Sequence, residues 1–374
     1  MTELKPKKVA LVHDFLVSYG GAERVFQELC ALYPEAPIYT LLANPELVEG
    51  HFKNRDMRTS WLGRLPHFLQ KRYRLFLPFF PAAVESLDLR EFDLVISSSG
   101  AWSKGIITRL HTTHIAYLHS PMRYAWDYHE SYLTELGARG RRSILTRMLM
   151  SYLRIWDRQA AERPDVLLAN SHYTQARIAK YYRREATVIY PPVSLCEETP
   201  KQVRGDGEKR HHFLVVSRLT KSKQVMAVVE AFNKLGLPLV VVGTGPEEAH
   251  LRRMAKDNIT FTGFLADTEL AERYRTARAL IFPSEEDFGM VAVEALSFGV
   301  PVIGLEYGGL SEILSDGRMG ETFHSSAPEI IAEGVRRFLE KEGTYDTTLM
   351  KESVKKFSKD AFRQQLSEAI SRLS

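Results

Sequence analysis

The sequence is poor in cysteine, with two in 374 residues, Cys30 and Cys196. Two thiols so far apart cannot build the disulfide framework of a small secreted protein. The chain also has no Cys-x-x-Cys pair and no cysteine and histidine cluster with the spacing of a zinc site. We therefore expect a protein of the reducing cytoplasm.

Long hydrophobic runs are also missing, because no apolar stretch reaches the roughly 20 residues that span a bilayer. The first residues, Met1 to Lys8, lack the apolar core of a signal peptide. Apolar residues make up 44% of the chain and charged residues 26%, which excludes disordered and collagen-like proteins. We expect a soluble or peripheral protein of two or three domains.

Neither sign of charge dominates the chain, since its formal net charge is +4. The two halves of the chain nevertheless differ in charge. Residues 1–194 carry 26 Lys and Arg against 19 Asp and Glu, whereas residues 195–374 carry 24 against 27. The first half thus has a modest excess of positive charge. It has no dense basic stripe and no aromatic stacking motif, so nucleic-acid binding is not indicated.

Short apolar runs of β-type residues alternate with helix-length stretches along the chain. This alternation predicts an α/β fold of doubly wound parallel sheets with helices on both faces. A polar segment, Glu197 to His212, follows Pro191-Pro192 and precedes a new strand, so we predict domains over 1–192 and 193–358. The predicted strands are Val9–Val12, Ile38–Leu42, Leu94–Ser97, Thr113–Leu118, Val166–Ala169, Thr187–Tyr190, Phe213–Val216, Leu239–Val242, Ile259–Phe261, Ala279–Phe282 and Val302–Gly304.

A pair of glycines, Gly20 and Gly21, follows the first predicted strand where a helix begins. Backbone N–H groups at such a helix start can bind a phosphate, which the helix dipole also favours. The same glycines would equally serve a plain turn that needs a positive φ. The segment contains neither G-x-G-x-x-G nor G-x-x-x-x-G-K-[ST], so ordinary dinucleotide and P-loop sites are not indicated.

Two cations, Arg218 and Lys223, follow the strand Phe213–Val216 near its carboxyl end. Ligands bind at this end of the strands in doubly wound folds. A guanidinium fork and an ammonium together suit a diphosphate. The competing interpretation is a solvated basic loop, and Lys221 is interpreted in that way.

Two glutamates stand eight residues apart, Glu286 in a predicted loop and Glu294 in the helix that follows. Carboxylates in these positions can accept hydrogen bonds from sugar or ribose hydroxyls. Acidic residues near a helix start can also simply complement its dipole, which is the role we assign to Glu285 and Asp287. Phosphate or sugar oxygens can meet the backbone amides of Phe288, Gly289 and Met290.

One histidine, His119, stands at the end of the predicted strand Thr113–Leu118. Catalytic groups gather at strand ends in this architecture. A lone histidine is more often a packed or surface residue, so its position does not by itself assign a role.

Taken in order, these segments resemble the retaining glycosyltransferases of family 4, which have the GT-B fold. Glu286 and Glu294 match the family's E-x7-E motif, Arg218 to Lys223 matches R-L-x3-K, and Gly20-Gly21-x-Glu23 matches the N-terminal glycine loop. The segments His119 to Asp127 and Glu286 to Gly289 are most similar to the bacterial O-antigen and exopolysaccharide mannosyltransferase branch. Asp287 departs from the glycine of many members, which bears on donor-sugar specificity. Further matches are Asn170-Ser171, Tyr190 to Val193, Val242 to Pro246, Thr262 to Phe264 and Gly308 to Glu312.

The resemblance implies two Rossmann-like domains facing across a cleft, with the acceptor in the first and a nucleotide-sugar in the second. It implies that Arg218 and Lys223 bind the diphosphate. It also implies that Glu286 binds the donor sugar and that His119 lies beside the reacting sugar. These four residues are the predicted catalytic residues. It also implies that the ribose is held by Glu294, the phosphates by Gly21 and the nucleobase near Phe264. The last helix, about Lys359–Leu373 within segment 359–374, is expected to cross back to the first domain. The predicted substrate-binding residues are Gly20, Gly21, Phe264, Phe288, Gly289, Met290, Val291 and Glu294.

The chain has no Asp-x-Asp motif and no evident carboxylate pair for Mg²⁺ or Mn²⁺. Positive groups and amides fixed before the reaction can stabilise a diphosphate leaving group, so we expect chemistry without a metal or other cofactor. The family branch alone favours GDP-mannose as donor and a glycan or polyprenyl-diphosphate-linked acceptor. The alternatives are a soluble sugar acceptor with a UDP-sugar or another GDP-sugar, or a non-catalytic nucleotide-sugar-binding protein.

Two segments of the first half are basic and apolar together, Arg64 to Phe80 and Arg139 to Arg154. Such stretches can lie on an anionic membrane, which would place the protein at the inner face of the plasma membrane. They can equally pack an apolar stripe within the domain and solvate their charges. The sequence leaves both interpretations open.

Overall fold

A computed structural model describes residues 8–127, 141–193, 210–314 and 317–373, with no side chains described at 141–143. The chain divides into two compact units, Met1–Tyr190 with Gln365–Ser374, and Pro191–Gln364. Cys196, most of the predicted linker and the start of the segment Arg139 to Arg154 lie outside the described residues. Each unit contains one parallel sheet, as the strand and helix alternation predicted.

The first unit contains a seven-stranded sheet with helices in the connections. Its strands are β1 Val9–His13, β2 Ile38–Thr40, β3 Met57–Thr59, β4 Leu94–Ser99, β5 Thr113–Leu118, β6 Val166–Ala169 and β7 Thr187–Val188. Their spatial order is β3-β2-β1-β4-β5-β6-β7, so the order reverses between β1 and β4. Ligands of doubly wound sheets bind at the carboxyl ends of the strands at such a point. The helices are α1 Gly21–Leu32, α2 Pro45–His51, α3 His67–Gln70, α4 Phe80–Glu85, α5 Arg141–Ala160 and α6 His172–Tyr182.

The second unit repeats this plan with six strands. They are β8 His212–Val216, β9 Leu239–Val242, β10 Ile259–Gly263, β11 Ala277–Phe282, β12 Val302–Leu305 and β13 Gly320–Phe323. Their order is β10-β9-β8-β11-β12-β13, which reverses between β8 and β11. The helices are α7 Val225–Leu235, α8 Glu248–Met254, α9 Asp267–Thr276, α10 Met290–Ser297, α11 Leu310–Ile313, α12 Pro328–Glu340, α13 Thr347–Ser353 and α14 Lys359–Ser371, the last of which runs past the boundary at Gln364.

Both sheets have buried central strands, which explains why each of these strands contains consecutive apolar residues rather than alternating ones. In the first unit Phe80, Trp102 and Trp156 belong to one buried cluster beneath the sheet. In the second unit Phe213 packs against Phe232 and Phe338, with ring centroids 5.3 and 5.8 Å away. Each unit therefore has its own hydrophobic core.

The structure differs from the sequence-based expectation at the sheet edges. The edge strands β3 and β13 were not predicted, since β3 is short and half-exposed and β13 starts with glycine. The segment Arg64 to Phe80 is not one helix but a series of short pieces, including the 3₁₀ turn Tyr73–Phe79. Pro66 and Pro78 interrupt it because proline lacks the N–H that a continuous helix needs.

Candidate functional site

In the second unit, the loops after β8 and β11 bring a predicted cation and a predicted acid into contact. Lys223 ends the 3₁₀ turn Lys221–Lys223, and its Nζ lies 2.6 Å from Oε1 of Glu286. The hydroxyl of Ser284 donates a hydrogen bond to the same oxygen at 3.3 Å. The side chains of Lys223 and Glu286 are 27% and 26% exposed, so a ligand can reach this ion pair.

The second glutamate, Glu294, lies on α10 and is buried. Its Oε2 accepts a hydrogen bond from the Tyr274 hydroxyl on α9 at 2.9 Å. The Tyr274 ring in turn stacks on Phe298, with centroids 5.3 Å apart. The orientation of Glu294 is therefore fixed by its neighbours, and Tyr274 is a supporting residue that the sequence analysis did not identify.

The start of α10 depends on a glycine. Gly289 has φ +106°, a left-handed conformation that side chains rarely adopt, and a Cβ there would approach Cζ of Phe282 to 3.2 Å. The helix begins at Met290, so the amides of Met290 and Val291 belong to its first turn, where N–H groups have no intrahelical partner. Phe288 is a predicted site residue, but its ring is buried against Phe357. Only its backbone is therefore available to a ligand.

A second glycine pair supports Glu286 from the loop after β12. The N–H of Gly309 donates to the carbonyl oxygen of Glu286 at 2.8 Å. A Cβ on Gly308 would lie 2.5 Å from that oxygen, and one on Gly309 would lie 2.4 Å from Cα of Phe288. The Gly308-Gly309 segment thus allows two loops to pack backbone to backbone at the site.

Two other predicted residues are exposed. Arg218 follows β8 and is exposed, and within the described ranges its guanidinium group makes no hydrogen bond or ion pair, although its backbone carbonyl accepts from Thr220. Phe264 follows β10 and is 78% exposed. The structure thus brings together Lys223 and Glu286, whereas it shows no contact of Arg218 or Phe264 with either of them.

In the first unit, four polar side chains form a chain of contacts at the carboxyl ends of β1 and β4. Oε1 of Glu23 lies 3.7 Å from Nε2 of His13. Nδ1 of His13 lies 3.1 Å from the Ser98 hydroxyl, which lies 2.7 Å from Nε2 of His119. His119 was predicted from the sequence, whereas His13 and Ser98 were missed. The signal that could have found them is a run of polar residues where buried strands end.

Burial and charge act together on this chain of contacts. The pKa of His119 is lowered to about 4, mainly by burial and also by the neighbouring His13, while Asp14 and Glu23 act in the opposite direction. Burial alone would raise the pKa of Glu23, but the interaction of its carboxylate with His13, helped by its own backbone N–H and by His119, outweighs this effect, so the pKa is lowered. At neutral pH His119 is therefore an uncharged imidazole and Glu23 a carboxylate.

The glycines predicted to bind phosphate lie at the start of α1, which begins at Gly21. Gly20 has φ −157°, an extended conformation open to any residue, so a turn that needs a positive φ does not explain this glycine. A Cβ on Gly20 would lie 3.3 Å from Oε2 of Glu23, which is a close contact. Glycine at this position therefore leaves room for the Glu23 carboxylate.

The loop after β4 is held by Asp14, which follows β1 and is buried. Its carboxylate accepts backbone N–H groups from four consecutive residues at 2.6–3.2 Å, namely Gly100, Ala101, Trp102 and Ser103. Four such bonds fix the loop relative to β1. Asp14 is thus a structural anchor that the sequence analysis did not identify.

A buried ion pair fixes the end of the same loop. Nζ of Lys104 lies 2.6 Å from Oδ1 of Asp157, and neither side chain is exposed. Oδ2 of Asp157 accepts hydrogen bonds from Trp126 and Tyr182, both at 2.8 Å. Because a buried charge needs its partners, this cluster ties the loop firmly to α5 and α6.

We expect the first unit to unfold more easily as the pH falls below about 6.5. Burial, together with the charges of Arg163 and Arg184, lowers the pKa of His114 to about 3, and His119 has a pKa of about 4. The unfolded chain has histidine pKa values near 6.5, so it binds more protons than the folded chain below that pH. Stability present above pH 6.5 is therefore lost as the pH falls toward 4.

All four tryptophans lie in the first unit, so tryptophan fluorescence during urea unfolding reports its stability. The urea midpoint is expected to stay constant above pH 7 and to fall between pH 6.5 and 5. In His114→Gln, the urea midpoint should fall less steeply as the pH is lowered. A flat wild-type profile over this interval would contradict the prediction.

Two further features are absent from the described residues, namely a metal-binding cluster and a membrane-spanning helix. No group of three or more His, Cys, Asp or Glu side chains in those ranges is arranged to hold a metal ion. None of the helices in the described parts of the chain has the length and apolarity to cross a membrane. The expectation of metal-independent chemistry stays a prediction.

The chain matches two family models that together cover most of its length. Residues 19–196 match Glycosyltransferase Family 4, and residues 197–363 match Glycosyl transferases group 1. It is 27% identical over 216 residues to the O-antigen chain mannosyltransferase C of Escherichia coli, which covers 53% of this chain and 57% of the relative. It is also 27% identical over 209 residues to a GDP-mannose-dependent alpha-(1-6)-phosphatidylinositol monomannoside mannosyltransferase of Mycobacterium tuberculosis, covering 49% of this chain and 54% of the relative.

The matched region spans about half the length of these curated relatives. The fold is also that of a solved sucrose-phosphate synthase from Thermosynechococcus elongatus, with a TM-score of 0.72 and 18% identity over 98% of this chain and 99% of that one. The order of strands in both sheets, the two family matches and this structural likeness agree. The chain therefore belongs to the glycosyltransferases of GT-B fold, with a Glycosyltransferase Family 4 domain in its first half and a Glycosyl transferases group 1 domain in its second.

Proposed function

We propose that this protein is a retaining glycosyltransferase that transfers a hexose from a nucleotide-sugar, with mannose from GDP-mannose as the preferred donor. The observation that carries the proposal is the Lys223–Glu286 ion pair beside the start of α10. A cation for a diphosphate and a carboxylate for sugar hydroxyls thus lie together where doubly wound folds bind ligands. The preference for mannose is supported by relatives whose names specify mannosyl transfer.

The proposed chemistry uses groups that are fixed before the reaction. When the bond between sugar C1 and the diphosphate breaks, negative charge grows on the leaving group. Lys223, Arg218 and the first amides of α10 would stabilise this charge without reorganising and without a metal ion. We propose that the acceptor attacks from the same face, with a phosphate oxygen of the leaving group taking its proton. Glu286 binds donor hydroxyls rather than acting as a nucleophile, since Lys223 and Ser284 already hold its carboxylate.

A panel of nucleotide-sugars in EDTA tests the donor. We expect GDP-mannose to raise the melting temperature more than UDP-glucose or ADP-glucose, because the relatives that support the proposed donor have names that specify mannosyl transfer. Phe264→Ala should reduce the shift for the preferred nucleotide, since stacking on an aromatic ring contributes roughly 1–3 kcal/mol per base. A larger shift with UDP-sugars would overturn the GDP assignment and favour the alternative donor, whereas no shift with any nucleotide-sugar would contradict the proposed function.

The acceptor is proposed to be a polyprenyl-diphosphate-linked glycan at an anionic membrane surface. On α5 five apolar side chains are exposed at helical spacing, namely Ile144, Leu145, Met148, Tyr152 and Ile155. In the segment Arg64 to Phe80, exposed Phe68, Leu75 and Phe79 alternate with exposed Lys71, Arg72 and Arg74. Basic residues interspersed with exposed apolar ones are the composition that binds anionic lipid at its interface.

Flotation with liposomes tests the membrane proposal. Wild-type protein should float with vesicles that contain phosphatidylglycerol, and should float less as salt is raised, because basic side chains contribute about 1 kcal/mol each near an anionic surface. The variant Lys71→Glu/Arg74→Glu should float less, whereas Arg252→Glu/Arg253→Glu, on the second unit, makes the same change of charge and is the matched control. Equal flotation with neutral and anionic vesicles would contradict the proposal and favour a soluble acceptor.

A further inference from the structure

The contacts from Glu23 to His119 link two histidines through a single hydroxyl group. The Ser98 hydroxyl lies 3.1 Å from Nδ1 of His13 and 2.7 Å from Nε2 of His119. His13 and Ser98 are buried, and the His13 ring is stacked on Phe26 with centroids 4.7 Å apart. The position of the His13 ring relative to Ser98 is therefore fixed by packing.

The number of available hydrogens determines the direction of these hydrogen bonds. The Glu23 carboxylate, 3.7 Å from Nε2 of His13, favours a ring hydrogen at that nitrogen, so with a single ring hydrogen His13 has Nδ1 as an acceptor. That acceptor takes the one hydrogen of Ser98, so the Ser98 oxygen offers only a lone pair to His119. Nε2 of His119 must then carry the hydrogen.

This order leaves Nδ1 of His119 as a hydrogen-bond acceptor. Within the described residues, His119 Nδ1 makes no hydrogen bond, and the ring is partly exposed. A hydroxyl group is the donor that an uncharged imidazole nitrogen accepts from most readily in a site for sugars.

We propose that Glu23, His13 and Ser98 are positioning residues that hold His119 as its Nε2–H tautomer, so that His119 Nδ1 accepts a hydrogen bond from a substrate hydroxyl. This inference rests on the proposed function for the identity of the substrate. It assigns a positioning role to three residues that act through His119. It also predicts that His119 accepts a hydrogen bond from the substrate rather than donating one. A hydrogen bond to one ring nitrogen of a functional histidine fixes the tautomer and the orientation of the ring.

Ser97, the residue before Ser98, provides the matched control. The Ser97 hydroxyl lies 2.8 Å from Nε2 of His114, and Ser97 is buried like Ser98. Its side chain points to the opposite face of β4, because successive residues of a strand alternate. Ser97→Ala and Ser98→Ala thus remove the same kind of buried serine–histidine bond, but only the second acts on His119.

The test is nitrogen-15 NMR of histidine-labelled protein at pH 7.5, with His119→Asn used to assign the His119 signal. Wild-type His119 should show the shifts of a single Nε2–H tautomer. Ser98→Ala and Glu23→Gln should give averaged shifts of two tautomers, whereas Ser97→Ala should leave the signal unchanged. With the donor found in the nucleotide-sugar panel, Ser98→Ala should lower kcat/KM roughly tenfold, the effect of one lost hydrogen bond, and Ser97→Ala should not.

Two results would overturn the inference: an Nδ1–H tautomer in the wild type, or an unchanged His119 signal in both Ser98→Ala and Glu23→Gln. The Glu23→Gln variant keeps the volume of the side chain, so it decides the matter if Ser98→Ala does not fold. Because the spectra need no substrate, they test the hydrogen-bond order even if no sugar transfer is found. Absence of transfer by the wild type would instead count against the proposed function.

Discussion

Replacing Lys223 with alanine is expected to lower sugar transfer by roughly 100- to 1000-fold in kcat, the usual effect of removing one fixed donor from a developing negative charge. Lys223 is partly exposed and its Nζ is held 2.6 Å from Glu286, so its position at the site is set before a ligand arrives. An ammonium held in this way needs little rearrangement to stabilise a departing diphosphate. The measurement is the rate of nucleoside diphosphate release at saturating donor and acceptor.

Lys221→Ala is the matched control for this prediction. Lys221 belongs to the same 3₁₀ turn, but its side chain is exposed and was interpreted from the sequence as solvated. Its replacement should change the rate less than twofold, since isolated surface charges contribute little. If Lys223→Ala and Lys221→Ala had similar small effects, Lys223 would not act on the leaving group.

Replacing Asp157 with alanine is expected to destabilise the first unit by about 3–5 kcal/mol, because it leaves the ammonium of Lys104 buried without its charge partner. Neither side chain of this pair is exposed, and Trp126 and Tyr182 also lose their acceptor. Urea unfolding followed by tryptophan fluorescence measures the loss in the first unit alone, since the second unit contains no tryptophan.

The double variant Lys104→Met/Asp157→Ala provides the control. Removing both charges eliminates the unpaired ammonium, so the double variant should be more stable than the sum of the two single effects predicts. Strict additivity would show that the two side chains do not depend on each other. A loss below about 1 kcal/mol in Asp157→Ala would contradict the structural role of this ion pair.

Much of the fold was predictable because buried strands leave a simple signal. The strands Thr113–Leu118, Val166–Ala169 and Leu239–Val242 have the predicted bounds, since each contains at least four consecutive apolar residues and is buried along most of its length. The edge strands β3 and β13 were not found, because neither Met57–Thr59 nor Gly320–Phe323 contains such a run. The position of Glu286 and Glu294 was predictable from Pro283 and Gly289, which mark the end of a strand and the start of a helix.

The contacts within the first unit were harder to predict, because they depend on which strands are neighbours. β1 pairs with β4, and β4 pairs with β5, which brings Ser98 between His13 and His119. Nothing in the order of the sequence specifies this pairing. The polar residues at the strand ends, His13-Asp14 and Ser97-Ser98-Ser99, were visible, but their partners became evident only once the strands were placed.

The most direct test of the central claim is calorimetric titration of GDP and GDP-mannose in the presence of EDTA. If the cations and amides of the second unit suffice for the diphosphate, binding will be as tight in EDTA as in Mg²⁺. It will weaken strongly in Arg218→Ala/Lys223→Ala and stay unchanged in Lys221→Ala. Binding that requires Mg²⁺, or that is unaffected by loss of Arg218 and Lys223, would contradict the account.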